Sequence, residues 1–126
     1  MTSYLYNPER FEFQKLDVYK KSQLFYLHNK GLVKSGQLDK YIQDQLLRAS
    51  HSVLLNIAEG SGRSTSPDRK KFFIISRASV FECVAILDLL SVEGSIQRSE
   101  YEEGVSLAED ISKMLYFMIR NLSNKK

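Results

Sequence analysis

The stretch Gln45–Arg63, QLLRASHSVLLNIAEGSGR, constrains this chain more than any other. Ile42, Leu46, Ala49, Val53 and Ile57 recur every three or four residues, which is one apolar stripe of an α-helix. Beside it runs a wholly polar row at the same spacing, Arg48, Ser52, Asn56 and Glu59, while Leu47, Leu54 and Leu55 add apolar side chains on other faces. A helix apolar over more than one stripe belongs at the centre of a fold, touched by several neighbours. Gly60 and Gly62 predict its end.

The other periodicities are helical too. A first helix is expected from Phe11 or Phe13 to Lys30, stopped by Gly31 as a left-handed cap. After a loop at Gly31–Gln37, the second covers Leu38 to Glu59. Ser64-Thr65-Ser66-Pro67-Asp68 then predicts a helix start, with Ser66 as cap, Pro67 in the first turn and Asp68 facing the positive dipole end. That third helix runs to Glu93 and closes at Gly94. Ser99-Glu100-Tyr101-Glu102 has the form of a capping box, opening a fourth helix to Leu122. β-branched residues are scattered rather than alternating. The expectation is therefore all-α: an antiparallel up-down four-helix bundle over 11–122, an extended arm over 1–10 and a frayed tail over 123–126.

Composition bears on the setting. A hydrophobic share of 43% against 26% charged excludes a disordered chain, and 126 residues can bury one core. Cys83 is the only cysteine, so no intrachain disulfide forms, which suits a reducing compartment. The start MTSYLYNPERF lacks a signal-peptide pattern, and the apolar run Val84–Leu90 is cut by Asp88 and too short for a bilayer. A cytoplasmic protein without membrane contact is expected.

An antiparallel hairpin turning near Thr65 brings Arg48 level with Glu82, and Glu59 level with Lys71. Each helix spaces its two charges by about three turns, so both pairs fall on one seam. With Arg48 and Glu82 mid-helix among apolar neighbours, a buried register-fixing pair is expected. Loss of one partner would then cost roughly 3–5 kcal/mol, so Glu82→Gln should destabilise strongly. The third helix also carries apolar residues on more than one stripe, at Phe72, Phe73, Val80, Phe81, Val84, Ile86 and Leu87. A monomer would expose part of that set, which predicts an oligomer built on helices one to three.

The motif Gln45-Leu46, Arg48-Ala49, Ser52, Asn56-Ile57-Ala58-Glu59-Gly60, Gly62-Arg63 resembles the signature of the four-helix-bundle family of bacterial 23S rRNA intervening-sequence proteins. Ser79, Glu82, Leu87 and the closing Lys113-Met114-Leu115 resemble it as well. The likeness runs from Phe13 onward. It departs from the family pattern at Leu47, Ser50-His51, Leu54-Leu55, Ser76 and Ala78, and Lys34-Ser35-Gly36 lacks a proline. The family is similar to the accessory protein of diversity-generating retroelements, a pentameric barrel of such bundles that binds nucleic acid and a reverse transcriptase. The resemblance implies a homopentamer and nucleic-acid binding, with RNA or DNA, or a nucleic-acid-processing protein, as partner.

Catalytic chemistry finds no footing in these residues. His28, His51 and Cys83 lack metal-ligand spacing, so neither a metal nor a cofactor is expected. Gly60-Ser61-Gly62-Arg63 ends a helix where a phosphate loop would begin one. Glu102-Glu103 and Glu109-Asp110 read as dipole compensation and solvated surface. The one basic concentration is Arg63, Arg69, Lys70 and Lys71, with Arg77 two turns on. Arg63, Arg69, Lys70 and Arg77 are the candidate phosphate contacts, Lys71 being assigned to Glu59. Two readings stand: a non-enzymatic homo-oligomeric scaffold that holds nucleic acid by its phosphates, or a protein-interaction module that touches only a nucleic-acid-processing partner.

Overall fold

The structure, a computed structural model, describes residues 9–124; residues 1–8 of the expected arm and 125–126 of the expected tail lie outside the described residues. Four helices follow in order: α1 (Asp17–Ser35), α2 (Lys40–Ser61), α3 (Ser66–Val92) and α4 (Arg98–Ser123), with a 3-10 turn at Glu12–Lys15 before them. Each helix packs on the next in the chain and α1 closes against α4, giving the up-down four-helix bundle. Its core runs through Phe25, Leu46, Val53, Ile57, Leu87, Ile111 and Leu115, all fully buried.

Several helix ends differ from expectation for local reasons. α1 begins at Asp17 because Leu16 is extended and half-buried against the core, and Asp17 complements the dipole. It continues through Gly31 to Ser35. An interior glycine costs about 1 kcal/mol, whereas burying Leu32 below it contributes about 1.5–3 kcal/mol. Thr65, not Ser66, caps α3: its hydroxyl accepts from the Asp68 amide at 3.3 Å. The capping box of α4 lies two residues earlier than Ser99-Glu102. Glu100 Oε1 accepts from the Gln97 amide at 2.7 Å, and half-buried Ile96 anchors the loop that delivers it. Gly94 does adopt the left-handed conformation, φ +74°, and the Ser95 amide donates back to the Leu90 carbonyl at 2.9 Å.

Small side chains make the α2–α3 contact. The Ser76 hydroxyl donates to the Val53 carbonyl at 2.7 Å and Ser79 donates to Ser52 Oγ at 2.8 Å. Near the turn, a Cβ on Gly60 would stand 2.7 Å from the Phe73 ring, so only glycine admits that ring. Deeper in the core, Asn29 Nδ2 donates to Ser50 Oγ at 2.8 Å, and Ser50 donates on to the Leu46 carbonyl at 2.7 Å. Cys83 Sγ lies 3.6 Å from Ser50 Oγ, and burial pushes its thiol up to about 12, against a smaller lowering by that hydroxyl.

The expected buried ion pair is not there. Ser52 facing Ser79 sets Arg48 and Glu82 level, as the hairpin requires, but both are exposed, and among the described residues no ion pair joins them. The height was right and the face was wrong. Glu59 likewise pairs with Arg63, four residues on and just past the end of α2, and not with Lys71. Of the α3 residues expected to spill out of a monomer, Phe73, Val80, Ile86 and Leu87 are buried, Phe72 and Val84 half-buried, and Phe81 alone is exposed.

Candidate nucleic-acid interface

The α2–α3 corner gathers the basic residues, and the helical rotation of about 100° per residue distributes them over different faces. Arg63 follows the end of α2; its guanidinium is held by the Glu59 carboxylate and lies 4.6 Å over the Phe72 ring. Its guanidinium is thus already engaged by a carboxylate, which weakens it as a phosphate contact. Lys71 Nζ stands 5.8 Å from the centroid of the same ring. Arg69 curls back, its Nε donating to the Arg63 carbonyl at 2.7 Å. Lys70 crosses to α4, donating to Ser123 Oγ at 3.1 Å beside a hollow of about 270 Å³ lined by Ser66, Pro67, Leu122 and Ser123.

The partners of Arg69 and Lys70 matter electrostatically. Both cations are ordered by neutral oxygens, a carbonyl and a hydroxyl, so position is fixed while charge is left uncompensated. Among the described residues no carboxylate lies within 4.0 Å of Arg69, Lys70 or Lys71. Exposed Arg120, in the last turn of α4 next to Ser123, adds a cation that the sequence reading did not name. Exposed Asp68, in the first turn of α3, offsets part of the field.

Arg77 belongs to another surface. Its Nε donates to the Ser112 carbonyl at 3.1 Å and to Ser112 Oγ at 3.2 Å, and its guanidinium lies 4.8 Å from the Phe81 ring and 5.5 Å from that of Tyr116. It lines an α3–α4 groove of about 550 Å³ whose other charged walls are Asp88, Glu109 and Lys113. Phe81 in its wall is about half exposed, as is Tyr116 in an adjoining hollow that Arg77 and Phe81 share. The ring pair escaped the sequence reading because its members come from two helices; the only signal was an arginine four residues before a phenylalanine.

The other titratable candidates have structural partners. His28 lies between α1 and α4, its Nε2 3.0 Å from the Glu100 carbonyl and its Nδ1 3.7 Å from Glu103. His51 stacks on Tyr26 at 4.8 Å between centroids. The Tyr101 hydroxyl donates to Asp88 at 2.6 Å, and that bond raises the phenol above its ordinary range. Among the described residues no group of three or more His, Cys, Asp or Glu could hold a metal ion. No helix among them is long and apolar enough to cross a membrane.

Residues 14–117 match the family model described as 23S rRNA-intervening sequence protein. The chain is also similar to a protein of unknown function from the S23 ribosomal protein family of Bacteroides thetaiotaomicron VPI-5482, known from its crystal structure. The two are 27% identical with a TM-score of 0.77, over 81% of this chain and 97% of that one. Among curated proteins none matches.

Proposed function

The chain belongs to the 23S rRNA-intervening sequence protein family, and from that premise we propose that it is a non-enzymatic, cytoplasmic, homo-oligomeric scaffold that binds RNA or DNA through phosphates. The observation that carries this reading is the pair Arg69 and Lys70, two ordered cations at one end of the bundle whose hydrogen-bond partners are neutral. Such groups attract phosphate without first having to break an ion pair. With Lys71 and Arg120 alongside, the contact set becomes Arg69, Lys70, Lys71 and Arg120; Arg63 is occupied by Glu59, and Arg77 lies in the α3–α4 groove. Apolar side chains exposed on α1 to α3, among them Leu24, Leu27, Leu55 and Ile75, support assembly. Five copies, the number implied by the resemblance, would present the corner five times and gain by effective concentration.

The test is a filter-binding titration of single-stranded and duplex oligonucleotides against salt. Retention should be nearly sequence-independent and fall steeply as salt rises, and the combined variant Arg69→Ala, Lys70→Ala, Arg120→Ala should flatten that slope at unchanged oligomer mass. A wild type that retains no nucleic acid at low salt sinks the direct-binding reading. The protein-interaction alternative would then take its place, and the α3–α4 groove with half-exposed Phe81 in its wall favours that second reading.

A further inference from the structure

The outer side of the α2–α3 hairpin carries a pattern that nothing among the described residues satisfies. On α2, Tyr41, Arg48 and Leu55 succeed one another at seven-residue intervals, and on α3 Ile75, Glu82 and Leu89 do the same. Seven residues fall about 20° short of two full turns, so each trio forms one stripe. All six residues are exposed, the four apolar ones between 40% and 66%. The Ser52–Ser79 bond fixes the relative heights, leaving Leu55 level with Ile75, Arg48 with Glu82 and Tyr41 with Leu89. Each stripe thus reads apolar, charged, apolar, and the two charges are opposite in sign.

We propose that this face binds a second copy of the chain, with Arg48 of one copy paired to Glu82 of the next. Copies standing side by side in the same up-down sense, as around any symmetry axis parallel to the bundle, keep their heights. The α2 stripe of one then meets the α3 stripe of its neighbour with Arg48 opposite Glu82, Tyr41 opposite Leu89 and Leu55 opposite Ile75. Setting α2 against α2 would oppose Arg48 to Arg48 instead, so the charges select the pairing as well as permit it. Apolar residues above and below shield the ion pair from water, which strengthens it relative to a rim pair. The inference rests on the homo-oligomer reading and supplies its contact; it holds for any ring number.

Charge reversal separates the possibilities, with mass read by light scattering. Arg48→Glu alone and Glu82→Arg alone should each reduce the particle to one chain, 14.6 kDa. The double variant Arg48→Glu, Glu82→Arg should assemble again, and mixing the two single variants should recover species heavier than one chain, because each supplies the charge the other lacks. Helical circular dichroism should stay at the wild-type level throughout, since both residues are exposed. Assembly that survives both single reversals overturns this interface while leaving the oligomer reading intact. A mixture that stays at one chain overturns it too, by assigning the pair to the interior of each chain. A wild type of one chain refutes the oligomer reading itself.

Discussion

The inner and outer sides of the α2–α3 hairpin share two helices and one register, yet they solve opposite problems. Inside, Ser52, Ser76, Ser79 and Gly60 bring the backbones close, and the hydroxyls bond within the chain at 2.7 to 2.8 Å. Outside, Arg48 and Glu82 stand at matched height without meeting. Polar groups that must be satisfied on folding are small and bonded to backbone or to each other. The long charged ones are left outward, where water already satisfies them and a neighbour can use them. A shared register therefore does not imply a shared role.

That contrast can be broken most severely from the inside. Gly60→Val would drive a branched side chain into Phe73 and Phe72, and overpacking of this kind costs about 1–3 kcal/mol; urea denaturation of the monomeric charge-reversed protein would measure it. An unchanged midpoint would mean the helices can part at the turn at no cost.

The Cys83 thiol, raised by burial to about 12, gives a smaller and pH-specific effect. A thiol raised in the fold holds its proton after the unfolded chain has lost its own. Its stabilisation is therefore intact below the unfolded value of about 8.5 and is lost as pH rises from there towards the folded one. Stability should fall by up to about 1.4 kcal/mol per pH unit above pH 9 from this group. In Cys83→Ala that component of the slope should vanish; an identical slope in the variant would show that other groups cause it.

Smallest of all, Glu82→Gln should shift the monomer's stability by no more than about 0.5 kcal/mol, because the side chain is solvated. A loss of several kcal/mol in the same denaturation experiment would return Glu82 to the interior and erase the contrast between the two sides.

What the sequence made legible divides along similar lines. Helix identity and antiparallel register followed from periodicity and from punctuation such as Pro67 and Gly94, which act through the backbone. Which face of a helix a polar residue occupies depends on packing angles that no spacing supplies; Arg48 and Ser52, one turn apart in the same row, ended on different surfaces. The basic run fared likewise. Arg69, Lys70 and Lys71 are consecutive letters, but consecutive helical residues point about 100° apart. They reach a carbonyl, a hydroxyl and a ring on three sides of α3. Gly31 misled because a glycine's conformational freedom is a permission to end a helix, and the burial of Leu32 beneath it outweighed that permission.

The single cysteine makes the bundle its own clock. Cys83 is fully buried between Ser50 and the core, and its thiol resists ionisation. A thiol reagent needs both access and a thiolate, so labelling must wait for α3 to lift away from α2. With one cysteine in the sequence, every labelling event reports that same separation. At moderate reagent concentration the rate measures how often the hairpin is open, and at saturating reagent how fast it opens. Comparing assembled protein with the charge-reversed monomer would then show how far a neighbour seated on the outer side holds the inner side shut.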